Sequence, residues 1–394
     1  MICKKMKQPF KVIYVAPRYH TNQVPIINGW YKSGAKVKFM AAYTGVIESH
    51  ENVDFYQMKP SIFIRMILYF MSFLHDKDEL QYLQGKYFIP NIRDLYRQLK
   101  SFKPDVVIIR NYSLMAMTFI FVCKILGVKN IVMYLQEPLY GKPMKSNILK
   151  DFVRKRFFPR AVFTPVLYKG EYRTREKLSN RAKYFVPLVC DKTEDRSTDY
   201  CVDDKIRILD IGKYRDYKNH FFVVDALSKV KHPERFEVTI IGQLSSKAEQ
   251  DYYDRLEQYI KDKHLEDIIH LRGHVDFKEM DAIYANNDVL LLASKNETAG
   301  MVILEAMAKG LCVISDFNCG LTSYIDEYNC GLSFSEKKVS CLVEVLDNIS
   351  GNKSIVRELG QKAQRIAKEE FCFEKYKEHL NSLLEKEYNY SITI

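Results

Sequence analysis

Residues 286–334 read NNDVLLLASKNETAGMVILEAMAKGLCVISDFNCGLTSYIDEYNCGLSF, and their alternation of apolar and polar segments predicts the fold. The apolar run 289–293 is bounded by polar residues, which is typical of a fully buried strand. A loop follows, and then a helix from about 299 to 309 that ends at Gly310, a residue suited to a left-handed cap. The apolar run 311–315 predicts the next strand. This order indicates a parallel α/β sheet, in which ligands bind at strand carboxyl ends and anions at helix N-termini.

Two glutamates are the candidate ligand-binding residues of this unit. Glu297 lies in the loop after the first strand, and Glu305 lies inside a helix that is apolar on nearly every face. A helix that is apolar all round is buried, so we expect Glu305 to be buried and to need partners or a cleft. The alternative is that Glu305 forms the one solvated stripe of the helix and that Glu297 is an ordinary loop acid. Together, beside a helix N-terminus that can hold phosphate, the two carboxylates suit a nucleotide sugar.

The same residues resemble a known family. Glu297, seven residues, Glu305, and then EAMAKGLCVI with a run of Gly320, Ile325 and Gly331 resemble the donor site of retaining glycosyltransferases of family 4. Those enzymes have the GT-B fold and are common in the biosynthesis of bacterial surface polysaccharides. The resemblance covers nearly the whole chain and is specific over 206–334.

The chain departs from the family pattern at three positions. Cys312 stands where proline is usual, Ala299 replaces a common aromatic residue, and Ser323 stands where a glutamate is frequent. These changes affect the sugar pocket more than the phosphate site.

The resemblance implies an α/β protein of two Rossmann-like domains that face each other across a cleft. We expect an acceptor-binding domain over 1–190, a linker over 191–204, a nucleotide-sugar-binding domain over 205–371, and a C-terminal helix within 372–394 that crosses back to the first domain. The implied reaction moves a sugar from a nucleotide diphosphate to a hydroxyl of a saccharide or lipid-linked acceptor, with retention of anomeric configuration. Glu297 and Lys218 are the implied catalytic residues.

The donor diphosphate has a predicted cationic site in the loop that follows the strand 206–211. In the family this loop is Gly-Arg-x-x-x-x-Lys; here Lys213 takes the place of the arginine and Lys218 matches the lysine. An ammonium binds phosphate without the bidentate fork of a guanidinium. The alternative for these lysines is that they are two solvated surface side chains. The resemblance also places His274 near the nucleobase, and the alternative for it is a loop residue whose hydrogen bonds are made within the protein. The implied donor-binding residues are Lys213, Lys218, Gly242, His274, Glu297, Thr298, Ala299, Gly300, Met301 and Glu305.

The acceptor has weaker candidates in the first domain. His20 and Asn22 follow the strand 11–16 and are candidates to contact the acceptor or a phosphate, although loop capping explains them about equally well. Glu137 follows the strand 128–135. Relatives often carry a histidine where Gln136 and Glu137 stand, so no catalytic histidine is carried over.

No cofactor or metal is expected. Retention by the family's front-face route needs no dedicated base, and the two lysines with a helix N-terminus replace a metal at the diphosphate. An Asp-x-Asp sequence, Asp76-Lys77-Asp78, lies in a charged stretch rather than at a predicted strand end. A sugar-nucleotide epimerase or hydrolase of the same fold, or a non-catalytic nucleotide-sugar-binding membrane scaffold, remains an alternative.

The composition indicates a globular chain with a strongly basic first half. The 394 residues are 47% hydrophobic and 28% charged, which suits two domains. The nine cysteines contain no CxxC pair, so we expect a reducing cytoplasm, and no signal peptide is evident. Residues 1–190 hold 32 Lys and Arg against 12 Asp and Glu, whereas the rest hold 28 against 37. Without a nucleic-acid motif, this asymmetry favours an anionic membrane or acceptor over a nucleic acid.

Two segments of the first domain are candidates for the membrane. The apolar stretch 60–74 contains Arg65 and is too short to cross a bilayer, so it is a core helix, which we prefer slightly, or an apolar face on the membrane surface. The basic amphipathic segment 145–160 suits an anionic membrane surface and, equally, a solvated helix packed on its own domain. A peripheral location on the inner face of the plasma membrane follows from the membrane interpretation.

Overall fold

The computed structural model describes residues 9–44, 50–72, 87–141, 147–170, 181–190, 195–335 and 337–393. Two parallel β-sheets with flanking helices lie within these ranges, which confirms the predicted α/β architecture of two domains. The predicted Asp76-Lys77-Asp78 lies outside the described residues.

The first sheet has seven described strands in the order β3-β2-β1-β4-β5-β6-β7, and every pairing is parallel. They are β1 (Lys11–Ala16), β2 (Lys36–Ala41), β3 (Asp54–Gln57), β4 (Val106–Arg110), β5 (Ile131–Tyr134), β6 (Val162–Thr164) and β7 (Tyr184–Phe185). The central strands are continuous runs of valine, isoleucine and aromatic residues, as expected of a parallel sheet covered on both faces.

The second sheet has six described strands in the order β10-β9-β8-β11-β12-β13, also all parallel. They are β8 (Ile206–Ile211), β9 (Phe236–Ile241), β10 (Ile269–Arg272), β11 (Val289–Leu292), β12 (Cys312–Asp316) and β13 (Gly331–Phe334). In this sheet the chain order reverses between β8 and β11, and in the first sheet it reverses between β1 and β4. Loops diverge at such a switch point, and the crevice that they leave is where α/β proteins bind ligands.

Helices cover the faces of both sheets. The described helices of the first domain are α1 (Val24–Lys32), α2 (Ile62–Met71), α3 (Ile92–Phe102), α4 (Leu114–Ile125) and α5 (Ile148–Phe157). Those of the second are α6 (His220–Leu227), α7 (Lys247–Asp262), α8 (Met280–Ala285), α9 (Met301–Ala308), α10 (Thr322–Tyr328), α11 (Val339–Gly351) and α12 (Ser354–Glu370). A last helix, α13 (Phe373–Tyr388), follows them. No helix within the described ranges is long and apolar enough to cross a bilayer.

The preferred interpretation of 60–74 as a core helix is wrong. Among the residues of α2, only Ile64 is buried, whereas Phe63 is 68% and Phe70 is 64% exposed. The side chains of α5 are likewise outside the core, since Ile148 is 89% and Leu149 is 70% exposed. Both helices therefore present apolar side chains to the surroundings of the first domain.

Helix α13 belongs to the core of the first domain although it follows the second domain in sequence. The Trp30 indole N–H donates to the Tyr14 hydroxyl over 2.7 Å, and the Tyr14 and Tyr376 hydroxyls bond over 2.8 Å. All three side chains are buried, and Phe373 meets Trp30 edge to face. Burial raises the pKa of Tyr14 well above its usual range, so this hydroxyl is neutral at physiological pH.

The chain segment between the domains is anchored to the second domain. Within the described part of the predicted linker, Arg196 is almost completely buried and its guanidinium pairs with Asp288 over 3.2 Å. It also donates to the Asn287 carbonyl over 2.6 Å and lies over the Tyr200 ring. A buried arginine with these partners holds this segment rigidly against the second sheet.

We predict that Gly29→Ala destabilises the protein through the contact of α1 with α13. A Cβ at Gly29 would lie 2.1 Å from the Phe373 ring, which is packed against Trp30 and cannot retreat without cost. Overpacking of this kind costs about 1–3 kcal/mol, whereas alanine normally stabilises a helix by about 0.5–1 kcal/mol over glycine. Thermal unfolding shows whether the melting temperature of the variant is lower or higher than that of the wild type. The matched control is Gly351→Ala in α11, where a Cβ meets nothing within 4 Å; equal melting temperatures for the two variants would contradict the prediction.

Candidate active site

The loops that leave β8 and β11 bring Lys218 and Glu297 into contact. Lys218 ends a short 3₁₀ turn, Asp216–Lys218, and its ammonium lies 2.8 Å from the Glu297 carboxylate. Both side chains are only partly exposed. A backbone bond from Lys295 N to Tyr217 O, over 2.7 Å, ties the two loops together beside the ion pair. The two predicted catalytic residues are therefore neighbours at the switch point of the second sheet.

Two glycines allow this close approach of backbone and side chains. A Cβ at Gly242 would lie 2.3 Å from the Gly212 carbonyl oxygen, and a Cβ at Gly212 would lie 2.8 Å from the aliphatic chain of Lys218. Gly212 donates to Ile241 O over 2.9 Å, so the ends of β8 and β9 stay paired where these glycines meet. Gly242 thus lies beside the lysine loop and shapes it, while any contact of Gly242 with a nucleotide stays a prediction.

The N-terminus of α9 lies next to the ion pair. Gly300 is its N-cap residue at φ +78°, and no side chain caps the helix. A Cβ there would lie 2.4 Å from Cys319 Sγ, so the position requires glycine on two grounds. The two residues before Gly300 differ in exposure, since Thr298 is exposed whereas Ala299 is buried. The first amides of α9 are thus held beside Glu297, where a helix N-terminus favours an anion.

Glu305 is exposed, so the expectation of a buried glutamate is wrong. Its neighbours Leu304 and Ala306 are buried, and Glu305 lies on the open stripe of α9 together with the partly exposed Met301. The Tyr284 hydroxyl donates to the Glu305 carboxylate over 2.8 Å. Burial, with the Glu305 charge, holds the pKa of Tyr284 well above its usual range, so this tyrosine remains a donor. Glu305 therefore has a fixed orientation and faces solvent one helical turn from Met301.

Lys213, the other predicted phosphate ligand, is exposed two residues before Arg215. Arg215 does not substitute for it, because the Arg215 guanidinium pairs with the buried Glu249 over 2.8 Å. Burial would raise the pKa of Glu249, but hydrogen bonds from Ser245 and Arg215 outweigh it and hold the pKa at about 2. His274 follows β10 and is largely exposed, with its Nε2 3.9 Å from Asp276.

A buried polar group lies beneath the Lys218 loop. Asp210, on β8, and His220, the first residue of α6, are both fully buried, with Oδ1 of Asp210 3.9 Å from Nε2 of His220. Burial raises the pKa of Asp210 to about 7, against the attraction of Lys218, and it lowers the pKa of His220 to about 3. Both groups are thus mainly uncharged between about pH 3 and pH 7, which limits the charge buried beside Lys218 in that range.

The first domain contributes one cation to this region that the sequence did not identify. Lys169 donates from Nζ to Asn296 Oδ1 over 2.8 Å, next to Glu297. Gly170 donates to the Phe317 carbonyl over 2.7 Å, so this segment is bonded to the second domain. Partial burial lowers the pKa of Lys169, partly offset by the charges of Cys319 and Glu297. Its position depends on contact between two domains, which local sequence does not reveal.

The predicted acceptor residues His20 and Asn22 follow β1 at the switch point of the first sheet, whereas Glu137 follows β5, the neighbour of β4. His20 Nδ1 accepts from Arg18 Nε over 3.4 Å, and burial together with the charges of Arg110 and Arg18 lowers the pKa of His20 to about 3. Asn22 lies in the 3₁₀ turn Thr21–Gln23. Glu137 is in an ion pair with Arg181 over 2.7 Å. The sequence reasoning did not identify the two arginines beside His20.

Residues 191–366 match the family model for group 1 glycosyl transferases. An uncharacterised 41.2 kDa protein from the cps region of Klebsiella pneumoniae is 28% identical over 145 residues, which cover 37% of either chain. The D-inositol 3-phosphate glycosyltransferase of Paenarthrobacter aurescens is 26% identical over 214 residues, covering 51% of this chain and 50% of that enzyme. The chain thus matches no more than about half the length of these two relatives.

Solved structures extend the likeness to the whole chain. A glycosyltransferase from Rickettsia africae superposes with a TM-score of 0.71 at 14% identity, covering 97% of this chain and all of that one. Anabaena HepE, solved with UDP and glucose, superposes with a TM-score of 0.65 at 14% identity, covering 96% of this chain and all of that one. At this level of identity the likeness establishes the fold. The fold is GT-B.

We predict that Asp210→Asn makes the protein more stable at pH 8 than at pH 5, each relative to the wild type. The unfolded carboxyl ionises near pH 3.8 and the folded one near pH 7, so the wild type loses stability as pH rises between these values. Removing the carboxyl removes this loss, and the advantage of the variant should grow by on the order of 2 kcal/mol from pH 5 to pH 8. Chemical denaturation at both values measures it. The exposed Asp267→Asn is the control, and a pH-independent difference for Asp210→Asn would contradict the prediction.

Proposed function

We propose that this chain is a retaining glycosyltransferase of family 4 type, which moves a sugar from a nucleotide diphosphate to a hydroxyl of a saccharide or lipid-linked acceptor. The observation that carries the proposal is the contact of Lys218 with Glu297 beside the uncapped N-terminus of α9. A cation, a carboxylate and a helix N-terminus at one switch point suit a ligand that has both phosphates and hydroxyls. The match of residues 191–366 to group 1 glycosyl transferases supports the same reaction.

When the donor binds, Lys218 and Glu297 contact different parts of the substrate. Lys218 binds the diphosphate, together with the exposed Lys213 and the first amides of α9. Glu297 then accepts from a hydroxyl of the transferred sugar. As the bond to the leaving diphosphate breaks, negative charge grows on the phosphate beside Lys218, and positive charge grows on the sugar beside Glu297. Preorganised charges that match those of the transition state are usually the largest catalytic contribution.

The reaction needs no separate base and no metal in this proposal. The departing phosphate removes the proton of the attacking acceptor hydroxyl on the same face of the sugar, so that configuration is retained. Two lysines and a helix N-terminus supply the positive charge that a divalent cation supplies elsewhere. The other predicted donor contacts, His274 near the base and Glu305 at the ribose, remain proposals of the same kind.

The relatives support a choice of substrates to test first. HepE was solved with UDP and glucose, so UDP-sugars are the first donors to test. The Klebsiella relative is encoded in a cps region, which favours an acceptor in surface-polysaccharide biosynthesis. We propose that the first domain binds this acceptor.

Membrane association of the first domain is part of the proposal. Helix α5 exposes Leu149 and Phe152 beside the exposed basic residues Lys155 and Arg156. Helix α2 exposes a second apolar surface. Apolar side chains ringed by lysine and arginine suit an anionic membrane surface, where a lipid-linked acceptor would be found.

A thermal-shift screen tests the proposed function. Wild-type protein is heated with UDP-, GDP-, ADP- and CMP-sugars in EDTA, and a specific donor should raise the melting temperature by mass action. After incubation of that donor with saccharide acceptors, mass spectrometry must show the transferred sugar, and proton NMR of the product must show the retained anomeric configuration. The absence of any stabilising nucleotide sugar would refute the proposal. Activity that EDTA abolishes and manganese restores would refute its metal-independent form.

We predict that substitutions of the two glutamates change different kinetic parameters. Glu305 is proposed to bind the ribose in ground and transition states alike, so Glu305→Ala should mainly raise the donor KM. The interaction of the Glu297 carboxylate with the sugar strengthens as positive charge forms in the transition state, so Glu297→Ala should mainly lower kcat. Loss of one hydrogen bond to a charged group, about 1.5–3 kcal/mol, implies roughly a ten- to hundredfold effect in each case. Glu→Gln at both positions keeps the shape and removes the charge. If Glu305→Ala lowers kcat while Glu297→Ala does not, the two roles are reversed.

We predict that anionic vesicles bind the protein through α5 and α2. Sedimentation with vesicles of phosphatidylglycerol and phosphatidylcholine should show binding that weakens as salt rises, because surface charge is screened within roughly 8 Å at physiological ionic strength. The double variant Lys155→Glu/Arg156→Glu should lose roughly tenfold or more in vesicle affinity. Lys229→Glu/Lys231→Glu makes the same charge change at exposed positions of the second domain and should bind normally.

The variant Phe63→Ser/Phe70→Ser separates the apolar contribution of α2 from the charge of α5. It should weaken vesicle binding without changing its salt dependence. Binding to neutral vesicles that equals binding to anionic ones, at all salt concentrations, would contradict this membrane model.

A further inference from the structure

The carboxyl edge of the first sheet holds two arginines with neutral partners. Arg18 follows β1 and Arg110 ends β4, the two strands between which the chain order reverses. Arg18 donates to the His20 ring, and Arg110 Nη2 donates to Gln136 Oε1 over 2.9 Å. Within the described part of the chain, no carboxylate forms an ion pair with either guanidinium. Glu137, the residue after Gln136, is paired with Arg181.

Among the described residues at this edge of the sheet, three buried side-chain atoms lack a hydrogen-bond partner. They are Nη1 of Arg110, the side-chain oxygen of Asn22, and Oε2 of Glu137, whose other carboxylate oxygen pairs with Arg181. Buried polar atoms are nearly always satisfied, because an unmet donor or acceptor is costly. A guanidinium N–H requires an acceptor, and the Asn22 oxygen requires a donor. An oxyanion and a hydroxyl are the complementary groups.

His20 adds a donor between the arginines. Burial, together with the charges of Arg110 and Arg18, lowers the pKa of His20 and keeps the ring neutral. Its Nδ1 accepts from Arg18, so the proton lies on Nε2. The crevice thus offers N–H groups from two guanidiniums and one imidazole, with Asn22 as the hydroxyl acceptor. Guanidinium groups match the planar and tetrahedral oxyanions, carboxylate and phosphate, by paired N–H donors.

We propose that Arg18 and Arg110 bind an oxyanion of the acceptor, so that the acceptor is a phosphorylated or carboxylated saccharide, or a lipid diphosphate, rather than a neutral sugar. This rests on the proposed function, in which the first domain binds the acceptor. The donor diphosphate has cations of its own in the second domain, Lys213 and Lys218. Two guanidiniums without carboxylate partners therefore remain for a second anion.

Equilibrium binding of small probes tests the proposal without requiring turnover. Calorimetry on the wild type compares glucose with glucose 6-phosphate, glucuronate and farnesyl diphosphate, which carry a sugar phosphate, a sugar carboxylate and a lipid diphosphate. At least one anionic probe should bind at least about tenfold more tightly than glucose. Arg110→Gln and Arg18→Gln should each remove about a factor of ten from that affinity, and Arg110→Lys should recover part of it. The exposed Arg97→Gln makes the same charge change on α3 and should bind the probe as the wild type does.

Two results would overturn the proposal. One is that no anionic probe binds more tightly than glucose. The other is that the arginine variants weaken UDP, GDP or ADP and leave the anionic probe unaffected, because the oxyanion site would then serve the donor. Since Arg110 contacts Gln136 and Tyr134, its variant can be unstable, and the melting temperature of each variant is measured first. Arg18→Gln carries the test if Arg110→Gln does not fold. A wild type that binds acceptor probes but no nucleotide sugar would refute the proposed function and leave the anion site standing.

Discussion

Parallel pairing of β8 with β11 is the constraint on which the candidate active site depends. Ile208 pairs with Val289 and Leu209 with Leu290, so both strands end at the same edge of the sheet although about eighty residues separate them. Their loops must leave in opposite directions, because β9 lies on one side and β12 on the other. Lys218 and Glu297 meet in the crevice that results. The pairing of β1 with β4 does the same for Arg18 and Arg110 in the first domain.

The two crevices hold positive charge in different ways. In the second domain Lys218 is matched by a carboxylate, and the buried Asp210 and His220 beneath it are held mainly uncharged by burial. Lys218 and Glu297 neutralise each other until a ligand separates them. In the first domain the guanidiniums have neutral partners, and burial together with the two arginine charges lowers the pKa of His20. One site suits a ligand with both phosphates and hydroxyls, and the other suits a plain anion.

Much of the fold could be predicted from the sequence, because buried parallel strands are apolar runs with polar ends. The predicted strands 11–16 and 206–211 have the bounds that the structure shows, and the helix predicted over about 299–309 spans Met301–Ala308. The errors concern which side of a helix is covered. Apolar residues made α2 and the whole surface of α9 look buried, yet Phe63 and Glu305 are exposed, since burial depends on neighbours distant in sequence. The convergence of Arg18, Arg110 and Lys169 depends on strand order and on contact between domains, which local spacing does not encode.

The position of α13 also limits the order in which the chain can fold during synthesis. Tyr376, Leu380, Leu383 and Leu384 pack into the same core as Val12 and Trp30. A growing polypeptide therefore completes both sheets on the ribosome before the side chains that close its first core have been translated. Domains that are contiguous in sequence can mature one after another as they emerge. Here the earlier domain keeps an open apolar face until the later one has been made, so a chaperone that shields such faces during translation would act on the first domain rather than on the second.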